Sequence, residues 1–184
     1  MNYNFSCHSL SGSRPNMYAI VIFLPPALDE VISSLRERFD PEYSVVDSHV
    51  TIVFPFESSL SLDKISGIIR EESSKIESLE IRLDSIGDFY PIVPLIYWQV
   101  ADNPSLSMLY KSLYTRFEIA LPHRKYVPHV TVAREISYHR VMLVKEKIIS
   151  CLHREQFYAR AIDLVSPVAD HRWLSVRTFP LPQP

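Results

Sequence analysis

The first apolar pattern in the chain predicts a strand, a turn and a helix. Residues 18–23 form an apolar run with the length of a buried strand. Pro25-Pro26 then favours a turn, because proline interrupts both strand ladders and helix interiors. Beyond it, apolar residues recur at helical spacing, at Val31, Ile32, Leu35 and Phe39. Residues 1–16 are rich in Ser and Asn and lack any apolar periodicity, so we expect a poorly ordered leader there and folding from Met17.

The same order of elements returns in the second half. Residues 95–100 predict a strand and Asn103-Pro104 a turn. A second helical stripe follows, at Leu106, Leu109, Leu113 and Phe117. Both predicted helices carry the pattern S-L-x-x-R-F, at residues 34–39 and 112–117, and each is followed by a loop and then by His-Val-Thr. The sequence therefore predicts that one structural unit, a strand, a helix and a His-Val-Thr segment, occurs twice in the chain.

Each His-Val-Thr segment is followed by another predicted helix and then by a strand-rich segment. The helical stripes lie at Ile65, Ile68 and Ile69 in the first half and at Val141, Val144, Ile148 and Ile149 in the second. We expect a single α+β domain over residues 17–184, with two lobes at about 17–90 and 91–184. A pseudo-twofold axis between the lobes would bring equivalent residues face to face across a central groove.

Composition narrows the classes of function. The chain has 184 residues, 47% of them hydrophobic, which is enough for a sizeable core. A formal net charge of -2 with interspersed signs argues against coating long nucleic acid, and leaves a small anionic ligand open. The apolar run 18–28 is too short to cross a bilayer and lacks signal-peptide flanks. We therefore expect a cytoplasmic protein with no membrane partner.

The positions of cysteine and glycine disfavour several chemistries. Cys7 and Cys151 are far apart and in no metal-ligand spacing, so we expect free thiols and neither a disulfide framework nor a zinc knuckle. The glycines, Gly12, Gly67 and Gly87, cannot form a Walker phosphate loop or the GxGxxG dinucleotide motif. ATP-driven and NAD-linked reactions by those routes are disfavoured, and we expect no cofactor.

The paired His-Val-Thr segments carry the candidate chemistry. On a strand, alternate side chains share a face, so His49 and Thr51 point one way, and His129 and Thr131 do the same. Two such strands across a twofold axis would line a cleft with two imidazoles and two hydroxyls. One imidazole can act as general base and the other as general acid, while the hydroxyls hold phosphate oxygens. The pattern favours a phosphodiesterase that needs no metal.

The motifs are similar to those of a known family. Residues 48–56 and 126–134 resemble the two signature motifs of the 2H phosphoesterase superfamily, most closely its 2′-5′ RNA ligase and RNA 2′,3′-cyclic phosphodiesterase branch. The resemblance covers most of the chain from about Met17 onward. It implies a bilobal α+β fold, with an antiparallel sheet and flanking helices in each lobe, and a groove for a 2′,3′-cyclic phosphate or a 2′-5′ linkage. It also implies catalytic roles for His49, Thr51, His129 and Thr131.

Two further residues are candidates for substrate binding. The resemblance places Arg134 where the family often has a basic residue, and there it could contact phosphate or form an ion pair. The first motif has Val53-Phe54 at the equivalent place, so the lobes are not functionally equal. Tyr126, just before the second motif, could stack on a base or pack in the core. The basic segment 123–125 could attract a phosphate tail or be solvated surface, and residues 170–173 could approach a base or form a hairpin.

Other interpretations stay open. The histidines could be structural, and threonine favours strands whatever its role. Two histidines supply fewer ligands than the three of a catalytic zinc site, unless Asp47, Asp170 or His171 adds one. The groove could also capture a nucleotide or RNA end without turnover, as a regulatory module. In either case the expected partner is a cyclic nucleotide, an oligonucleotide or an RNA end, and a monomer is the default for a domain of this size.

Overall fold

Strands and helices alternate in the order that the sequence predicts. The computed structural model describes residues 16–168 and 172–184. The strands in these ranges are β1 (Asn16–Phe23), β2 (His49–Ser58), β3 (Glu80–Asp88), β4 (Leu95–Val100), β5 (His129–Arg134), β6 (Glu155–Tyr158), β7 (Ala161–Pro167) and β8 (Trp173–Pro180). The helices are α1 (Pro26–Phe39), α2 (Leu62–Ser73), α3 (Pro104–Arg116) and α4 (Val141–Cys151), the last preceded by a single 3-10 turn, Tyr138–Arg140.

Local sequence explains where the helices begin. The fixed φ of Pro26 suits the first turn of α1, where its missing N–H would have no partner in the helix. The Ser61 hydroxyl accepts a hydrogen bond of 3.4 Å from the backbone N–H of Lys64 and caps α2. The Asn103 side-chain oxygen accepts one of 2.9 Å from the N–H of Leu106 and caps α3. The predicted Asn103-Pro104 turn is therefore the cap and first residue of that helix.

All eight strands form one antiparallel sheet, in the order β6-β3-β4-β5-β2-β1-β7-β8. At the centre of the sheet, β2 of the first half meets β5 of the second through the single residue pair Val50 and Val130. The predicted α+β class, with antiparallel strands and flanking helices about a central groove, is confirmed. The sheet order adds that β3, from the first half, lies against β4, whereas β7, from the second half, lies against β1. The division into lobes near residues 90 and 91 stays a prediction.

The helices pack on one face of the sheet and leave the other face for the site. Strand residues including Ile20, Val50 and Val130 belong to one buried cluster with residues of all four helices. Since strand side chains alternate, their neighbours in sequence point to the opposite face. There, Ala19, Val21 and Val165 form a smaller buried cluster of their own, against which Phe23 and Trp173 pack.

Several predictions fall at or beyond the limits of the described residues. The predicted leader lies outside them except for Asn16, which is the first residue of β1 and directly precedes Met17, where the sequence predicts that folding begins. Cys7, Asp170 and His171 lie outside them too. Cys151 is an exposed free thiol at the end of α4. Within residues 16–168 and 172–184, no helix combines the length and the apolar character that crossing a membrane requires.

Candidate active site

The two His-Val-Thr segments begin β2 and β5, the strands that meet at the centre of the sheet. Their valines, Val50 and Val130, are fully buried and pair directly. Extending this antiparallel register places His49 opposite Thr131 and His129 opposite Thr51. Diagonal positions on such a ladder lie roughly 7 to 8 Å apart, a gap that a phosphate group can span. The structure thus brings together the four residues that the sequence singles out.

Both imidazoles are held by the same kind of hydrogen bond. His49 Nδ1 donates to the carbonyl oxygen of Asp47 at 2.8 Å, and His129 Nδ1 donates to that of Val127 at 2.7 Å. Because a carbonyl oxygen can only accept, the proton of each neutral ring lies on Nδ1. Nε2 of each ring is left with a free lone pair, in the form that a general base needs.

Aromatic side chains fix the planes of the two rings. The His129 ring lies 5.0 Å from that of Tyr97 and 5.1 Å, edge to face, from that of Phe89. The His49 ring meets Phe23 at 6.2 Å, also edge to face. Each histidine therefore has a hydrogen bond and a packed ring that limit its rotation.

The two threonine hydroxyls are unengaged. Thr51 and Thr131 are half-buried, and both line the cleft between the histidines. Within the described residues, neither side chain forms a hydrogen bond, although the backbone oxygen of Thr51 accepts one from Tyr126. Both hydroxyls are therefore available to donate to an anion.

Burial lowers the pKa of both histidines. For His49, loss of solvation is the largest cause, and the hydrogen bond to Asp47 opposes it only in part. The positive charges of Arg36 and Arg134, together with His129, contribute further, and the pKa of His49 falls to about 4. Desolvation is also the main reason that the pKa of His129 is lowered, followed by the charge of Arg134. Both rings are therefore neutral at pH 7, and an anion bound between them would raise both pKa values.

The cleft has a volume of about 360 Å³ and a lining that is partly polar and partly apolar. The histidines, the threonines, Arg134 and Glu42 form its polar part. Its remaining lining is apolar, formed by Ala19, Val21, Val45, Val46, Phe54, Pro55, Leu95, Val165 and Trp173. Such a cavity suits a small ligand with one anionic group and a larger apolar or aromatic part.

Arg134 lies at the cleft and is also paired. Its guanidinium forms an ion pair with Glu42, and its Nε lies 3.4 Å from Oδ1 of Asp40. The second contact lacks the geometry of a hydrogen bond, so it is an electrostatic contact. The ion pair that the sequence left as an alternative is thus present, and contact of Arg134 with phosphate stays a prediction.

A buried network beneath Arg134 supports the start of β2. Asp40 accepts a hydrogen bond of 3.2 Å from Nε of Arg36, and both side chains are almost fully buried. Arg36 also donates to the hydroxyl of Ser48 at 3.0 Å and to the carbonyl oxygen of Val46 at 3.0 Å. Ser48 directly precedes His49, so α1 helps to fix the position of the first histidine.

Tyr126 lies behind the cleft. Its ring stacks on Tyr110 at 3.9 Å with the planes 3° apart, and its hydroxyl donates to the carbonyl oxygen of Thr51 at 2.8 Å. Tyr126 is absent from the residues that line the described cleft, and burial raises its pKa. These contacts tie α3 to β2, and a direct contact of Tyr126 with substrate stays a prediction. Residues 123–125 are exposed and do not line the described cleft either.

Some residues that line the cleft are not among the site residues that the sequence predicts. Glu42 lies in the loop between α1 and β2, and a single charged loop residue gives no periodic signal. Leu95 was predicted only as a strand residue. Trp173, considered as near a base or packed in a hairpin, is both packed against the sheet and part of the cleft. The sequence signal for Trp173 is a tryptophan directly after a short polar segment.

We searched the described residues for side chains that could together bind a metal ion. No group of three or more His, Cys, Asp or Glu side chains there is arranged to hold a metal ion. Among the described residues, the polar side chains that line the cleft beside His49 and His129 are those of Thr51, Thr131, Arg134 and Glu42, and Glu42 is paired with Arg134.

Comparison with known proteins gives a family and several relatives. A model of the 2′-5′ RNA ligase superfamily matches residues 24–169. A Bacillus licheniformis protein, named as a proposed phosphoesterase, is 32% identical over 123 residues, which cover 65% of this chain and 72% of that protein. A Halalkalibacterium halodurans protein with the same kind of name is 25% identical over 167 residues, covering 89% of this chain and 96% of its own.

The fold is shared with solved structures. Escherichia coli LigT in complex with 3′-AMP superimposes with a TM-score of 0.66 at 17% identity, covering 92% of this chain and 100% of that chain. LigT has also been crystallised with phosphate, NADP+ and ATP. At this level of identity the likeness shows the fold alone.

Proposed function

We propose that this chain, which belongs to the 2′-5′ RNA ligase superfamily, acts on 2′,3′-cyclic phosphates or 2′-5′ linkages of nucleotides or RNA ends, without a metal. Membership of that superfamily and the bacterial relatives make it a phosphoesterase. The observation that carries the finer assignment is the pair of opposed imidazoles, each with a proton held on Nδ1, beside two unengaged hydroxyls.

The proposed reaction uses the two histidines as a pair. One neutral imidazole takes a proton on Nε2 from a water molecule as its oxygen bonds to phosphorus. The other imidazole, protonated when the anionic substrate binds, gives its proton to the departing ribose oxygen as the bond from that oxygen to phosphorus breaks. Each transfer contributes about a hundredfold to ten-thousandfold in rate. The pseudo-twofold arrangement fits either assignment of acid and base.

Negative charge that builds on the non-bridging phosphate oxygens during the reaction needs hydrogen-bond donors close by. The hydroxyls of Thr51 and Thr131 lie on the same face of β2 and β5 as the histidines and donate to the non-bridging oxygens. Arg134 adds positive charge at the end of β5, at the edge of the cleft. Ligation is the reverse of a transesterification, and it would use the same groups, with a ribose hydroxyl in place of water as the attacking group.

The volume of the cleft and the shared fold with LigT support the proposed substrate class. A cleft of about 360 Å³ lies within the range of small-molecule sites and holds about one nucleotide unit. LigT, which shares the fold, binds 3′-AMP and phosphate in its crystals. As part of the proposal, we expect the same kind of ligand to bind this chain. Its phosphate would lie between the histidines and its nucleoside in the apolar part of the cleft.

The proposal is tested by turnover of a panel of 2′,3′-cyclic nucleotides, 2′-5′ linked dinucleotides and 3′-5′ controls, with EDTA present. We expect turnover by the wild type, and a loss of about a hundredfold or more in His49→Ala and in His129→Ala. His153→Ala, which changes an exposed histidine outside the cleft, serves as the control and should keep wild-type rates.

Two results would count against the proposal. Turnover that EDTA abolishes and a divalent metal restores would exclude the metal-independent reaction. Absence of turnover on every substrate, with stoichiometric binding of a nucleotide, would identify a binding module instead.

A further inference from the structure

The two sides of the cleft are built from equivalent strands but hold side chains of different size. On the first side, Val21 of β1 pairs with Thr51 of β2. On the second, Tyr97 of β4 pairs with Thr131 of β5. Val21 and Tyr97 therefore occupy the same position in the two halves of the pseudo-twofold arrangement, with a small side chain on one side and a large one on the other.

The side next to His129 is filled by aromatic rings. The Tyr97 ring packs on Phe89 at 4.4 Å and lies 5.0 Å from the ring of His129. It also lies directly over Gly87, where an added Cβ would overlap the ring. Tyr97 fits there because Gly87 has no side chain, and little space remains for a ligand on this side.

The side next to His49 has a floor of small side chains. Ala19, Val21 and Val165 are each at most 4% exposed and form a buried cluster on the cleft face of β1 and β7. All three line the cavity. This floor is flat and apolar, and it continues from the paired histidines toward β8.

Trp173, the first residue of β8, packs against this floor. Its backbone N–H donates to the carbonyl oxygen of Val45 at 2.8 Å, which fixes its position. The indole is only partly buried and lines the same cavity as His49. Within the described residues its ring N–H makes no hydrogen bond, so one edge and part of one face remain available to a ligand.

We propose that the nucleobase of the substrate binds on the His49 side of the cleft, over Ala19, Val21 and Val165, with Trp173 as its stacking partner. This subsite rests on the proposed function, because it takes the phosphate to lie between the two histidines. A flat apolar floor beside an aromatic ring accepts the face of a base, and such stacking tolerates any base. The filled His129 side excludes the opposite orientation.

The proposal is tested by calorimetric binding of 3′-AMP and of inorganic phosphate as the probe that lacks a nucleoside. In the wild type, 3′-AMP should bind at least tenfold more tightly than phosphate. Trp173→Ala should weaken binding of 3′-AMP by on the order of tenfold to a hundredfold and leave phosphate affinity unchanged. Trp173→Phe keeps an aromatic face and should retain most of the preference.

A second variant fills the proposed subsite. Val21→Tyr places at this position the ring that the chain carries at Tyr97, and it should lower affinity for 3′-AMP at least tenfold, again without loss of phosphate binding. Circular dichroism and a thermal melt check that the variant is folded. If either Trp173→Ala or a folded Val21→Tyr leaves the preference for 3′-AMP intact, the proposed subsite is wrong.

Failure of the proposed function would give a different result. If His49→Ala and His129→Ala bind both probes as the wild type does, the phosphate does not lie between the histidines, whatever Trp173 contributes. If those variants no longer bind phosphate and Trp173→Ala binds both probes as the wild type does, only the nucleobase subsite is overturned.

Discussion

At the scale of single residues, burial makes the candidate histidines resist protonation. The pKa of His49 is about 4 in the folded chain, against 6.5 for an unperturbed histidine. Between these pH values the unfolded chain binds the proton more tightly than the folded chain does. His49 therefore contributes stability that is complete above pH 6.5 and is lost as the pH falls toward about 4.

We expect the free energy of unfolding to fall as the pH is lowered from about 6.5 to about 4, by on the order of 1 to 3 kcal/mol from His49. Urea unfolding at a series of pH values measures this slope. His49→Gln removes the titrating ring and should flatten the slope in that window, whereas His153→Gln, at an exposed position, should not. Equal slopes in His49→Gln and the wild type would contradict the expectation.

The candidate catalytic residues could be predicted because two signals coincide at them. Strand alternation places His49 and Thr51 on one face, and the repetition at His129 and Thr131 marks the four residues as a candidate site. Glu42 and Trp173 reach the same cleft from a loop and from the last strand of the sheet. Their approach depends on pairing between distant segments, so the sequence gives no signal for Glu42 and offers contact with a base only as one of two alternatives for residues 170–173.

At the scale of elements, β3 and β4 hold His129 in place through one close contact. The Tyr97 ring of β4 lies on Gly87 of β3 and against the imidazole. A side chain at Gly87 would force the ring to move, and the ring has Phe89 on its other side. The orientation of His129 in β5 thus depends on a missing side chain two strands away, at Gly87 of β3.

Gly87→Ala should destabilise the protein by about 1 to 3 kcal/mol, as overpacking in a core does, and should lower turnover by displacing the ring beside His129. Gly67→Ala is the matched control, because nothing lies within 4 Å of a Cβ at that position of α2. It should stabilise by roughly 0.5 to 1 kcal/mol, since alanine favours a helix interior over glycine. Thermal melts and initial rates measure both, and the prediction fails if the two variants change stability in the same direction.

The spacing of apolar residues predicts the helices and strands but not the order of the strands in the sheet. The stripes at Leu35 and Leu113 mark amphipathic helices whose buried faces are visible in the sequence. That β3 lies against β4 and β7 against β1 could not be predicted, because strand order follows from packing between segments far apart in the chain.

At the scale of the whole molecule, a buried charged network joins the two halves beneath the cleft. Asp40 at the end of α1 contacts Arg36 of the same helix and Arg134 of β5. Its side chain is fully buried and also accepts the backbone N–H of Glu42 at 3.0 Å. The network therefore links α1 of one half to β5, the strand that carries His129, of the other.

Asp40→Ala should destabilise the protein by about 3 to 5 kcal/mol, because Arg36 is left buried without its carboxylate. Asp63→Ala removes the partner of Arg177 in an exposed ion pair and should cost no more than about 1 kcal/mol. Chemical denaturation of the two variants beside the wild type makes the comparison. Similar losses for both would show that burial of the Arg36 pair adds nothing.

The placement of β3 against β4 and of β7 against β1, each beside a strand of the other half, has a consequence for how such a chain could arise. A single copy of the repeated unit would carry strands equivalent to β1 and β2 but would lend a later strand to a neighbour, as the first half lends β3 to β4 and the second half lends β7 to β1 here. That is the geometry of a domain-swapped dimer, in which neither copy is complete by itself. Joining two copies in one chain makes the swap permanent. It also frees each half to change separately, so that one side of the cleft can hold tyrosine where the other keeps valine.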